Sequence, residues 1–161
     1  MKIERKRILQ RLINSRKNGQ IKIITGVRRC GKSYLLGVLY REYLLQEGVQ
    51  PEQIITLELD NDINIRYRNP LELGAYLRDI VSNTEKEYYI LLDEIQMVEA
   101  INNPYLPKDT GAKVTFVDVL LGLKSLPNVD VYVTGSNSKM LSFGKRYYMV
   151  KNSWGTKKSE Y

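Results

Sequence analysis

The stretch "IKIITGVRRCGKSYLLGVLY", residues 21–40, decides how the rest of the chain is read. Ile21, Ile23 and Ile24 make a short apolar run with strand character, while Tyr34 through Leu45 carry helical spacing that closes near Gly48. Between them Gly26, Val27, Arg28, Arg29, Cys30, Gly31, Lys32 and Ser33 satisfy G-x-x-x-x-G-K-[ST], the pattern of a phosphate-binding loop. Glycines let the backbone curl until its N–H groups face inward, and the start of the following helix adds about half a positive charge. In such a cradle Lys32 reaches the β and γ phosphates and the Ser33 hydroxyl ligates Mg²⁺. The expected nucleotide-binding surface therefore runs from Gly26 to Tyr34. Arg28, Arg29 and Cys30 fill free positions of the loop, where the arginines either point outward or meet the nucleotide or another anion.

At 161 residues the chain is sized for one domain with one core. Its hydrophobic fraction of 43% and charged fraction of 27% are those of a globular protein. No apolar run approaches the ~18 residues of a membrane helix, so no membrane partner is expected. The opening "MKIERKRILQRL" has charge where a signal peptide needs its apolar region, which predicts a cytoplasmic location. One cysteine and no histidine exclude a disulfide framework and the usual nucleophile–base constellations. The net charge of +7 is unevenly placed: residues 1–46 hold twelve Lys/Arg against two Glu, and residues 47–142 hold eight against fifteen acids. A basic front end suits an anionic partner, so a nucleic-acid or protein partner at the N-terminal region is a second expectation beside ATP. Oligomeric state is left open.

Along the chain, "ERKRILQRLINSRK" (4–17) spaces Ile8, Leu9, Leu12 and Ile13 as an amphipathic helix. "IITLELD" (54–60) reads as a second strand. Asn69, Pro70 and Glu72 read as cap, first turn and capping box of a helix. "YYILLDEI" (88–95) is apolar until it reaches two acids, as a buried parallel strand would be. A Pro-, Asn- and Gly-rich loop follows, then a helix opened by a Thr115/Asp118 capping box, then the strand "VDVYVTGSN" (129–137). Strands alternating with helices predict an α/β fold, a three-layer P-loop NTPase core with a mostly parallel sheet.

Binding alone is within reach of the loop, whereas turnover needs a metal partner and a means of activating water. Asp93 and Glu94 end their strand at the carboxyl edge of the sheet, where ligands of open α/β sheets sit. Asp93 is expected to hold Mg²⁺ together with Ser33, and Glu94 to polarise the attacking water. The fourth strand ends in Ser136 and Asn137, either of which would hydrogen-bond the γ phosphate or orient the water; spacing does not choose between them. No Asn-Lys-x-Asp tetrad follows a strand, which favours ATP over GTP.

"ITGVRRCGKSYLL", "LLDEIQMVE", "NPYLP", "TFVDVLLGL" and "VDVYVTGSNSKMLS" together resemble the bacterial and archaeal P-loop ATPases of the AAA superfamily, often joined to a C-terminal domain of unknown function. The resemblance covers residues 1–142. It implies a sheet with the first strand central and the third beside the fourth. It also implies ATP·Mg²⁺ chemistry at Lys32, Ser33, Asp93 and Glu94, with a sensing role at Ser136 or Asn137. From Phe143 the pattern departs: the family continues into a helix, an arginine-bearing segment, a fifth strand and a further domain. The resemblance thus implies a core truncated before its last strand and lid, with weak hydrolysis, and a nucleotide-gated binding module as the alternative. Residues 143–161 instead resemble the Asn-Ser-Trp-Gly region of papain-like peptidases of the bleomycin-hydrolase type, with Asn152 at the histidine-orienting position. Without a histidine that chemistry cannot be assembled. The segment reads as either a coincidence or a join of unrelated coding segments, the join being favoured, and is expected to be poorly packed, although "RYYMVKN" has strand character.

Overall fold

The computed structural model describes residues 2–25, 31–135 and 148–151; the expectations for Gly26, Arg28, Arg29, Cys30, Ser136, Asn137 and Asn152 lie outside these residues. Helix α1 spans Lys2–Asn14 and buries Ile8 and Leu12. It ends earlier than residue 17 because the Ser15 hydroxyl donates back to the Leu12 carbonyl at 3.0 Å, and Lys17 turns left-handed with φ 58°. Strand β1, Lys22–Thr25, is buried throughout.

The helical run after the loop has three parts: α2, Lys32–Tyr34; a π-helical segment, Leu35–Tyr40; and α3, Arg41–Gln46. Strand β2 follows at Ile54–Glu58, and α4 at Pro70–Ile80. Asn69 caps α4 as expected, its side chain accepting from the Leu71 and Glu72 amides at 2.9 and 3.3 Å. The capping box does not form, because the Glu72 carboxylate accepts from Arg66 Nε at 2.6 Å instead.

Strand β3 is Tyr88–Asp93. Inside the loop expected after it, β4 (Ile101–Asn102) and β5 (Lys113–Val114) make a small antiparallel pair. Helix α5, Phe116–Lys124, carries the Thr115/Asp118 capping box, with the Asp118 carboxylate accepting from the Thr115 amide at 2.9 Å. Strand β6 is Val129–Gly135.

The main sheet has the order β2-β3-β6-β1 and then Tyr148–Lys151, strand β7, with every pairing parallel. The first strand is central and the third lies beside the fourth long one, as the resemblance implied. The free side of β1 is covered: β7 pairs with it from Lys22↔Tyr148 to Thr25↔Lys151, in the place expected for a fifth strand. Poor packing is expected for residues 143–161; of these the structure describes Tyr148–Lys151, whose backbone pairs with β1. Twelve residues, 136–147, connect β6 to β7, the length a parallel crossover requires.

Period-2 alternation sends side chains to two cores. Ile23, Leu57, Ile90, Leu92 and Val133 face α4 and α5. Ile24, Ile54, Leu91 and Tyr132 face α1 and the helical run 32–46. Helices therefore cover both faces in three layers, with all strand C-termini on one rim.

Candidate functional site

At that rim β1 ends at buried Thr25, and Gly31, ahead of α2, has φ 90°. Only a residue lacking Cβ adopts that conformation freely. Lys32 and Ser33 follow at the start of α2. Lys32, Asp93 and Glu94 are 4, 8 and 5% exposed. Charged side chains are rarely so buried unless partnered, which makes their surroundings informative.

Ser33 Oγ donates to Asp93 Oδ2 at 2.7 Å, joining residues sixty apart. The other carboxylate oxygen, Oδ1, accepts from the Thr134 hydroxyl. The Asp93 carbonyl accepts from the Leu59 amide at 3.0 Å, so Asp93 is still anchored to the β2 side of the sheet. One residue later the strand breaks: Glu94 is left-handed at φ 59°, ψ 55°. That conformation is uncommon outside glycine and costs of order 1–3 kcal/mol. Here it is held by the Glu94 amide, which donates to Thr134 Oγ1 at 2.9 Å. A single hydroxyl thus fixes both acids: it donates to one side chain and accepts from the backbone of the other.

The bend brings the Glu94 carboxylate towards the loop. Its Oε1 lies 3.9 Å from Lys32 Nζ, and its Oε2 accepts from Gln96 Nε2. Lys32 Nζ also donates to the Gly135 carbonyl at 3.2 Å, at the end of β6. A cavity of about 410 Å³ opens beside Ser33 and Asp93, with Val38, Thr56, Glu58 and Asn61 among its walls. The Ser33 hydroxyl and the Asp93 carboxylate offer two adjacent hard oxygens. That donor set fits Mg²⁺, which takes few protein oxygens and completes its shell with water and phosphate.

The family model of the AAA domain matches residues 18–150. The chain belongs to the AAA domain family. The match runs eight residues beyond 142, to within one residue of the end of β7. Over 140 residues this AAA domain is 31% identical to an uncharacterized protein of Haemophilus influenzae, covering 87% of the chain but 31% of the relative, so it spans about a third of that protein's length. C. elegans PCH-2 superposes with a TM-score of 0.51 at 11% identity, over 93% of this AAA domain and 39% of PCH-2, a likeness of fold alone. A structure of Drosophila ORC bound to AT-rich DNA and Cdc6 aligns at a TM-score of 0.49 and 11% identity, over 92% and 53%.

The structure brings four candidates together in this AAA domain: Lys32, Ser33, Asp93 and Glu94. Tyr34 is 47% exposed, and its ring lies under the Arg5 guanidinium at 5.1 Å. Sequence reasoning missed Thr134, Gln96 and the Gly135 carbonyl. The available signal for Thr134 was a hydroxyl standing at the end of an otherwise apolar strand run, "VYVT". No helix among the described residues is long and apolar enough to cross a membrane.

Proposed function

We propose that this domain binds ATP with Mg²⁺ and hydrolyses it. The observation that carries the reading is the Ser33–Asp93 hydrogen bond, flanked by Lys32 and Glu94, at the carboxyl rim of a parallel sheet. Ser33 and Asp93 would hold Mg²⁺, which when bound neutralises charge developing between the phosphates. Lys32, released from Gly135 and Glu94, donates to the β and γ phosphate oxygens. Glu94 accepts a proton from, or orients, the attacking water, its position set by the left-handed turn. The amides of residues 26–34 cradle the phosphates, with Ser136 or Asn137 sensing the γ phosphate.

Lys32→Ala should abolish ATP binding in isothermal titration, and a retained affinity would end the proposal. Glu94→Gln should keep the affinity of the wild type while lowering turnover by about 10²-fold or more. If both variants hydrolyse ATP normally, the chemistry lies elsewhere.

A second reading, a nucleotide-gated module for nucleic acid, draws on α1, where Lys6 and Arg7 are exposed while Ile8 and Leu12 are buried. It requires DNA affinity that falls steeply with salt. A flat salt dependence removes it.

A further inference from the structure

Arg5 of α1 is only partly exposed. Arg5 lies against the phosphate-loop end of the helical run: a Cβ on Gly31 would meet Arg5 Nε and Nη2 at 3.2 Å. Its guanidinium also sits over the ring of Tyr34. The side chain is thereby held at residues flanking Lys32 and Ser33 on both sides. Yet Arg5 Nε is buried with no hydrogen-bond partner, and among the described residues no acid pairs with Arg5.

A buried donor left without an acceptor forfeits its hydration, and a guanidinium is at its strongest when its planar fork meets carboxylate or phosphate oxygens. An incoming oxyanion would supply the missing acceptor. A role in packing alone would be served as well by an uncharged side chain of similar length.

We propose that Arg5 is a ligand of the nucleotide's phosphate chain, so that α1 forms a third wall of the nucleotide site. This inference rests on the nucleotide-binding reading above. In the bound state the N–H groups of Arg5 donate to a phosphate oxygen, and nucleotide occupancy tightens the docking of α1 on the core. The positive charge of α1 is then divided by role: Arg5 turns inward to the ligand, whereas Lys6 and Arg7 face outward.

Titration of the full chain with MgATP, MgADP, pyrophosphate and adenosine provides the test, on wild type, Arg5→Met and Arg5→Lys. Arg5→Met should weaken MgATP and pyrophosphate by tenfold or more, Arg5→Lys should recover part of that loss, and adenosine should respond little. Equal MgATP affinity in wild type and Arg5→Met overturns the inference but leaves the nucleotide reading intact. No MgATP binding by the wild type overturns both. An equal loss for adenosine assigns Arg5 to the base and overturns the phosphate role. Should Arg5→Met fail to fold, hydrogen exchange on the wild type decides: MgATP should slow the amides of α1, and an unchanged α1 overturns the inference.

Discussion

Lys22 and Lys32 are both buried lysines that face an acid, one at each rim of the same sheet, and they are held in opposite ways. Lys22 Nζ pairs with Asp130 Oδ1, lies 3.2 Å from Asn18 Oδ1 and sits 4.7 Å from the centre of the Tyr132 ring. The second Asp130 oxygen accepts from the Lys17 amide at 2.9 Å and from the Tyr132 hydroxyl at 2.6 Å, and that hydroxyl also meets Tyr40. Every charge in this network is answered inside the protein. At the other rim Lys32 keeps Glu94 at 3.9 Å, and the carboxylate oxygens of Asp93 hold two hydroxyls, which are neutral donors. Neutral donors on a carboxylate can be exchanged for a cation at small cost, whereas a sealed ion pair cannot. The same residue type is therefore locked in a sealed network at one rim and stands 3.9 Å from its acid at the other.

The comparison is broken most directly at Asp130. Asp130→Ala strands a fully buried ammonium and should cost about 3–5 kcal/mol in urea unfolding. Lys32→Ala should cost clearly less, since it leaves Glu94 its bond from Gln96. Equal losses would mean that the two rims do not differ.

At the ligand rim, Thr134→Val removes the hydroxyl that joins Asp93 to the Glu94 amide while preserving shape. Supporting residues around metal ligands are worth about 10- to 100-fold, and a fall of that size in ATP turnover is expected. Thr134→Ser should restore it. Loss of stability without loss of turnover in Thr134→Val would make the residue merely structural.

The smallest effect is at alkaline pH. Burial pushes the phenols of Tyr40 and Tyr132 above their ordinary pKa near 10, so the folded chain keeps protons that the unfolded chain releases. Their contribution to stability is complete below about pH 10 and is lost as pH rises beyond it. Lys22 acts in the other direction: desolvation lowers its pKa, against the opposing pull of Asp130, so its share improves as pH approaches about 10.5. Two phenols outweigh one ammonium, and a net fall is expected. Of the twelve tyrosines, these two should show tyrosinate absorbance only when the fold is lost. Their ionisation in the intact protein would show that the sealed network is open to water.

Much of this was readable in the chain because it is local. The Gly-Lys-Ser turn, the acids that close an apolar strand, and the Asn69 and Thr115 caps each depend on neighbours a few residues away. What was missed depends on partners brought together by the sheet. Thr134 matters only because β6 lies beside β3, and the bend at Glu94 is stable only because that hydroxyl receives its amide. Glu72 was assigned to its own helix by spacing, but Arg66 competes for the carboxylate. Strand β7 needed β1 as a template before four residues of an unfamiliar tail could be placed.

The π-helical segment Leu35–Tyr40 has a consequence for sequence length. A stretch wound to i→i+5 holds one residue more than an α-helix would over the same span. Gly37 and Val38 lie on its outward side, and Gly37 has open space around its Cα. Excising Gly37 should let the run rewind as a continuous α-helix, with Lys32 and Leu44 keeping their places. Homologues one residue shorter at this point would then share the same core, their alignments carrying a gap where this chain has a slack turn.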